Sequence, residues 1–305
     1  MGDSSSPPAR RTGSSGRNAL VVAVAIFLSR IAGLVRERVF AHCFGNGVAA
    51  DAFKAALRIP NLLQNLFGEG VLSGSFIPVY ARLRAEGRDE DAQRTASVVL
   101  ALLALLVSVL VLLGVLATPW LIDAIAPGFD GDKRLAAIRY VRILFPGTGL
   151  LVLSAWCLGV LNSHRRFFLS YVAPVVWNLA QVAVLLATER RWQGYELATW
   201  AAWGAVLGSA LQFGVQLPLA LRLLGGLRPA ARAVAEPVRE ILHNLGPVFL
   251  GRGVVQLSAY IDSMLASWLP SGAVAALAYA QILYTLPISL FGMAISAAEL
   301  PEMSS

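Results

Sequence analysis

The chain has 305 residues, of which 57% are hydrophobic and 14% charged, with a mean hydropathy of +0.65. Soluble domains carry about a quarter charged residues, so this composition excludes an ordinary water-soluble enzyme or binding domain. The formal charge of +7 invites a nucleic-acid reading, but the basic residues are sorted between alternate loops in the way a membrane sorts them.

In chain order, residues 1–18 are Ser-, Gly- and Pro-rich with Arg10, Arg11 and Arg17, which predicts a disordered basic tail. Eight apolar runs follow, at 19–43, 52–80, 95–118, 138–162, 168–188, 197–222, 244–268 and 272–298. Each is long enough to cross ~30 Å of hydrocarbon, which takes ~20 helical residues. Continuous apolar runs without alternation exclude a membrane β-barrel, leaving an all-α polytopic membrane protein. The first run is not a cleaved signal: Arg30 and Arg36 follow it, no A-x-A pattern appears, and seven further runs come after.

The second run is interrupted at Gly68-Glu69-Gly70, marking a break or a joint. Pro60, Pro78, Pro146, Pro174, Pro218, Pro247 and Pro287 stand in the runs. They kink helices, which either shapes a bundle or lines a cavity that bends during transport. Residues 225–243 read as an amphipathic connector with an Arg-rich face, lying on an anionic inner leaflet. It divides the chain into a first six-helix lobe at 19–224 and the start of a second lobe at 244–305. Asn46-Gly47-Val48-Ala49-Ala50 before the second run is echoed by Ser271-Gly272-Ala273-Val274-Ala275 before the eighth, a faint sign of duplication.

With the amino terminus inside, thirteen arginines fall in inside segments (10–17, 82–94, 165–166 and 222–239). Outside loops hold four basic residues, Lys133, Arg134, Arg190 and Arg191. Positive-inside sorting explains this bias and places the amino terminus in the cytoplasm. No nucleic-acid partner is expected. Cys43 and Cys157 have no metal-ligand spacing and read as small buried thiols.

Charged residues in the apolar runs carry the functional signal. A charge near mid-bilayer costs ~3 kcal/mol on insertion scales, so it faces a partner or a wet cavity. Arg30, Arg36, Asp51, Arg58, Glu69, Arg252 and Asp262 lie in or beside these runs. At ~100° per residue, Glu37 falls within about 20° of Arg30 on the first helix. On the second, Asp51, Lys54, Arg58, Asn61, Asn65 and Glu69 share a stripe roughly 80° wide. Three readings compete: charges near helix ends that reach the headgroups, a structural salt-bridge network, and a cavity for an anionic ligand. The inward continuation through Arg30, Asn61 and Asn65 favours the cavity. Arginine suits phosphate because its planar fork binds oxygens bidentately and stays charged when buried. No nucleotide-binding loop, nucleophile elbow or HxxxH or CxxC pair appears in the sequence, so an enzyme is not expected.

A run of motifs completes the picture: Ser29-Arg30-Ile31-Ala32-Gly33 with Arg36-Glu37, Asp51-Ala52-Phe53, Pro60-Asn61-Leu62-Leu63, Glu69-Gly70 and Phe76-Ile77-Pro78. It continues through Ala126-Pro127-Gly128-Phe129, Leu161-Asn162, Arg166-Phe167, Ala173-Pro174, Asn178, Gln216-Leu217-Pro218, Gly246-Pro247, Gln256, Ser258 and Leu300-Pro301. Over about 19–303 the chain resembles the MurJ/MviN family of lipid II flippases, of the multidrug/oligosaccharidyl-lipid/polysaccharide (MOP) superfamily. The resemblance implies two six-helix lobes around a central cavity. It also implies carriage of lipid II, the undecaprenyl-pyrophosphate-linked peptidoglycan precursor, from the cytoplasmic to the periplasmic leaflet of the bacterial inner membrane. Carried over by motif, Arg30 and Arg36 match first-helix arginines that would bind the pyrophosphate, and Asp51 a functional acid. No organic cofactor is implied; a sodium ion or the membrane potential would drive transport, with Asp262 a candidate sodium ligand or a cavity acid paired with an arginine. Membrane lipids and cell-wall synthesis proteins are the further expected partners.

Three departures stand against the family pattern. Gln64 stands where an arginine is common, and Gln281-Ile282 where an Asp-Arg pair often follows Tyr-Ala. Arg252 is unexpected and lies at a depth similar to Ile282, so it is the expected replacement for the missing arginine. The chain also ends soon after the eighth run whereas the family runs to fourteen helices, which reads as a truncated chain or a shortened paralogue. The alternatives are a flippase for another polyprenyl-linked oligosaccharide, and a non-transporting membrane scaffold for cell-wall synthesis.

Overall fold

The structure is a computed structural model that describes residues 12–67, 69–228 and 235–285; the side chains of 12–22, 69–71, 73 and 245–259 lie outside the description. Among the described residues all regular structure is helical. The helices are α1 (Thr12–Phe44), α2 (Val48–Phe67), α3 (Glu69–Ala85), α4 (Asp89–Ile125) and α5 (Gly131–Ser163). They continue with α6 (Phe167–Thr188), α7 (Gly194–Leu224), α8 (Ala235–Ser267) and α9 (Ala273–Thr285). The expected break at Gly68-Glu69-Gly70 turns on residue 68, which lies outside the described residues; α2 is described to Phe67 and α3 from Glu69. Four helices, α4 to α7, are by themselves long and apolar enough to cross a membrane. Together with the family reported below, they make this a multi-pass membrane protein. Residues 235–243 of the expected connector are helical and continuous with the seventh apolar run in α8.

Helices form because no other local structure satisfies a backbone in lipid. Pro60, Pro78, Pro119, Pro146, Pro174 and Pro218 all lie inside helices. α7 stops at Gly225, whose left-handed φ of 73° lets its N–H and that of Gly226 return to carbonyls of the last turn. Asp89, Glu90 and Asp91 fill the first turn of α4, where the helix dipole favours anions.

Because lipid is as apolar as leucine, helices in a membrane associate mainly through close packing of small residues. α7 presents Ala198, Ala201, Ala202, Gly204, Ala205 and Gly208 as such a surface, all buried. A Cβ at Gly208 would come within 2.8 Å of the Trp177 carbonyl, so α6 and α7 can approach this closely only over glycine. The aromatic side chains Trp156, Tyr140, Phe53, Phe76 and Phe145 fill the interior, and the Trp156 indole donates to the Ala96 carbonyl at 3.1 Å.

The alternation of helices defines two faces. The near face carries the start of α1, the 85–89 and 163–167 connections, the end of α7 and the start of α8; the far face carries the 44–48, 125–131, 188–194 and 267–273 connections. Trp120, Trp192, Trp200, Trp203 and Trp268 are exposed towards the far face, as an interfacial aromatic belt would be. The arginines of 82–94, 165–166 and 222–228 gather at the near face.

Candidate functional site

The charged residues meet along a seam where α1 and α2 face each other and where α8 and α9 pack on α2. On α1, Arg36 and Glu37 are neighbours. Glu37 accepts from Arg36 Nη2 at 2.5 Å through one oxygen and from Lys54 Nζ at 2.5 Å through the other. The Arg36 guanidinium also lies 4.8 Å from the Trp177 ring of α6, a cation–π contact that fixes its direction. Lys54 is 6% exposed, with its ammonium 4.4 Å from the Phe40 ring and 5.1 Å from the Tyr279 ring of α9. Arg30 stands two turns before Glu37 on the same face of α1 and is exposed.

Asp51 sits at the far end of α2 and is 1% exposed. Its carboxylate accepts from Lys133 Nζ at 2.8 Å, from the Gly272 N–H at 2.7 Å and from the Ala275 N–H at 2.8 Å. Gly272 and Ala275 are the cap position and third residue of α9, so Asp51 caps that helix from another element. Three donors occupy its oxygens, so in this conformation the carboxylate is turned to helix α9 and not to a ligand. Gly272 has φ +102°, and a Cβ there would come within 2.6 Å of the Asn46 carbonyl oxygen. Next to it, the Gly128 N–H bonds Ser267 Oγ at 3.1 Å, and Tyr279 donates to the Gly45 carbonyl at 3.0 Å. The far face is thus closed between the α1–α7 bundle and the α8–α9 pair.

Deeper in the seam, Arg58 Nη2 donates to Gln281 Oε1 at 3.2 Å, and Tyr260 of α8 donates to the Arg58 carbonyl at 2.7 Å. Asp262 is exposed and lies within electrostatic reach of Arg58. Asn61 is exposed and Gln64 half-buried on the same helix. The side chains of Glu69 and Arg252 lie outside the described residues, and so does any replacement of a missing arginine by Arg252. At the near face, Arg82 grips Glu240 of α8 with two hydrogen bonds, at 3.0 and 2.6 Å. Both residues are exposed, unlike the buried Asp51 contacts.

Arg36, Asp51 and Arg58 therefore fall on one seam, while Trp177 and Lys133 are partners that the sequence did not single out, and Gln281 and its neighbour Tyr279 were visible only as a departure from the family pattern. Lys54 and Glu37 were visible on the stripes, but only their pairing shows that they belong together. Lys133 was counted among loop charges that set orientation. A separate hollow of about 500 Å³ at the far face is lined by His42, Cys43, Glu189, Arg190 and Gln193, where the Cys43 thiol donates to Glu189 at 3.2 Å. Among the described residues, no group of three His, Cys, Asp or Glu side chains is placed to hold a metal ion.

A bundle of proline-bearing apolar helices meeting a second helical element along a cationic seam is the architecture of a multi-pass membrane protein with charge held inside it. Residues 40–305 match the family described as lipid II flippase MurJ. A lipid II flippase MurJ of Burkholderia cenocepacia is 35% identical over 297 residues, covering 94% of this chain and 57% of that protein. A probable lipid II flippase MurJ of Haemophilus influenzae is 33% identical over 286 residues, covering 91% and 56% respectively. A solved lipid II flippase MurJ in an inward closed conformation superposes with a TM-score of 0.76 at 24% identity, over 93% of this chain and 59% of that one. The Vibrio cholerae MATE transporter VcmN in its bent form does so with a TM-score of 0.67 at 15% identity, over 92% and 64%. The chain belongs to the lipid II flippase MurJ family. It spans a little over half the length of these curated relatives.

Proposed function

We propose that this chain supplies the cationic path of a flippase that carries lipid II, or a closely related polyprenyl-pyrophosphate lipid, from the cytoplasmic to the periplasmic leaflet of the bacterial cytoplasmic membrane. The observation that carries this reading is the charge of the seam. Among the described residues, five cationic side chains, Arg30, Arg36, Lys54, Arg58 and Lys133, stand against three carboxylates, Glu37, Asp51 and Asp262. Excess positive charge within a membrane is costly unless an anion joins it, and a pyrophosphate carries the charge and the oxygens that guanidinium groups bind best. Arg36 and Arg30 would take the pyrophosphate, and the exposed Asn61 would offer hydrogen bonds to the sugar-peptide headgroup.

Alternating access suits the two unequal closures. The far one is buried and built on Asp51; the near one joins the exposed Arg82–Glu240 pair, which water and salt weaken, to Ile241 of α8 buried against Leu83 and Leu224. The arginine-rich loops of the near side make it the cytoplasmic side. The activity is transport, without chemistry on the substrate. As for the driving force, Asp262 lies in the field of Arg58, which opposes a cation there. We read Asp262 as the counter-charge of Arg58 and the membrane potential as the drive.

The test is growth of a bacterium depleted of its own lipid II flippase. This chain, extended through its downstream reading frame, should restore growth, and Arg36→Ala in that protein should abolish rescue. Failure of an expressed, membrane-inserted extended protein to rescue would overturn lipid II as the cargo and favour another polyprenyl-linked oligosaccharide.

A further inference from the structure

The Glu37 carboxylate is shared by two cations from different helices, and this sharing raises a problem of exchange. An incoming pyrophosphate oxygen must compete with Glu37 for Arg36, because the guanidinium already donates to that carboxylate. If Arg36 were the sole partner of Glu37, its departure would strand a carboxylate that is 11% exposed, and binding would carry that cost. Lys54 removes the problem. It holds the second oxygen of Glu37, is itself buried, and is braced between the Phe40 and Tyr279 rings. Arg36 also has a second resting contact, the face of Trp177, so it can turn without losing all support.

We propose that Lys54 is a positioning residue for substrate capture: it keeps Glu37 paired while Arg36 exchanges from that carboxylate to the pyrophosphate of the incoming lipid. The exchange swaps ion-pair partners and moves no covalent bond. Lys54 does not touch the ligand; it sets how readily Arg36 is released. The inference rests on the polyprenyl-pyrophosphate reading above and adds to it a role for one further residue of the seam. It predicts a sign that a packing role does not share. Removing Lys54 should weaken binding, and removing the Glu37 charge as well should restore it, because nothing then competes for Arg36.

The experiment uses the purified full chain in detergent micelles, titrated with undecaprenyl pyrophosphate and, in a second arm, with inorganic pyrophosphate. Tryptophan emission reports the departure of Arg36 from Trp177, with Trp177→Phe identifying that signal among the seven tryptophans. Lys54→Met should bind about ten-fold or more weakly than wild type, the loss of a charge-assisted exchange. Glu37→Gln should bind more tightly than wild type, and Glu37→Gln with Lys54→Met should recover to within about three-fold of Glu37→Gln. The double variant leaves no unpaired charge at the pair, so it reports even if Lys54→Met alone does not fold. Wild-type affinity in Lys54→Met, or a folded double variant that stays weak, overturns the inference while leaving the function standing. Absence of binding of either probe by the wild-type chain overturns the pyrophosphate reading itself. The same order of affinities with inorganic pyrophosphate places the exchange on the phosphates; the order appearing with the lipid alone shows that the prenyl chain must be engaged first.

Discussion

Asp51 acts as a helix cap supplied from a distance, and its substitution separates two kinds of interaction. Asp51→Ala removes the acceptor for the Gly272 and Ala275 amides and leaves Lys133 without its partner. A lost cap costs ~1 kcal/mol and an unsatisfied buried donor ~1–3 kcal/mol. Hydrogen exchange at 272–275 should therefore accelerate at least ten-fold in Asp51→Ala and less in Asp51→Asn, which keeps one acceptor oxygen. Unchanged protection in both would refute the cap. His164, just past the near end of α5, gives a pH signature. Tyr80 Oη and His164 Nε2 are 2.9 Å apart; burial first, and the charge of Arg84 next, hold the imidazole below its ordinary value of 6.5. The folded state thus prefers neutral histidine, and the unfolded chain binds more protons below pH 6.5. Stability from this group is complete above about pH 6.5 and falls as the pH drops towards the lowered folded value. Thermal unfolding between pH 7.5 and 5 should show that decline, and His164→Gln should flatten it.

Among elements, the two closures between the α1–α7 bundle and α8–α9 differ in what holds them. The near one joins the buried Ile241 to an exposed ion pair, Arg82–Glu240, and the field of that pair at ~1 M salt reaches only ~3 Å. The far one is a buried carboxylate on backbone amides, with Gly272 against Asn46. Raising salt from 0.05 to 1 M should increase thiol labelling of a cysteine placed at the near-face Glu236, and leave labelling at the far-face Ser271 unchanged. Equal responses at both faces would contradict the distinction. Gly272→Ala should loosen the far closure, because both its positive φ and its 2.6 Å approach to the Asn46 carbonyl exclude a side chain. The expected loss is ~1 kcal/mol or more, read by thermal unfolding. The faint echo of 46–50 in 271–275 gains a meaning here, since the two echoing segments touch each other. Asp51, one residue past the first segment, corresponds to Ala276 after the second, so a single carboxylate serves the junction.

For the whole molecule, arginines at one face and tryptophans at the other imply an orientation that reporter fusions can test. Green fluorescent protein joined after residue 88 or 228 should fluoresce, and alkaline phosphatase joined after residue 191 should be active. The reverse pattern would invert the proposed direction of transport. How much of this architecture was legible varies by residue. Arg36, Asp51 and Arg58 were found from their cost in lipid, a local quantity. Trp177 was missed because a tryptophan in an apolar helix has no cost to explain. Lys133 was missed because a lysine near a loop reads as solvated until Asp51 is seen beneath it.

Transfer free energy and helical period act over a few turns, so the sequence by itself determined the apolar runs, the sorting of basic residues and the motifs of the family. Which charge meets which depends on how the helices pack. Asp51 finds its amides 221 and 224 residues away, Lys54 finds Glu37 17 residues back on another helix, and Arg58 finds Gln281 223 residues on. Only the tertiary structure decided those pairings, because a buried charge takes the partner that packing brings within hydrogen-bond reach, and separation along the chain carries no record of that distance.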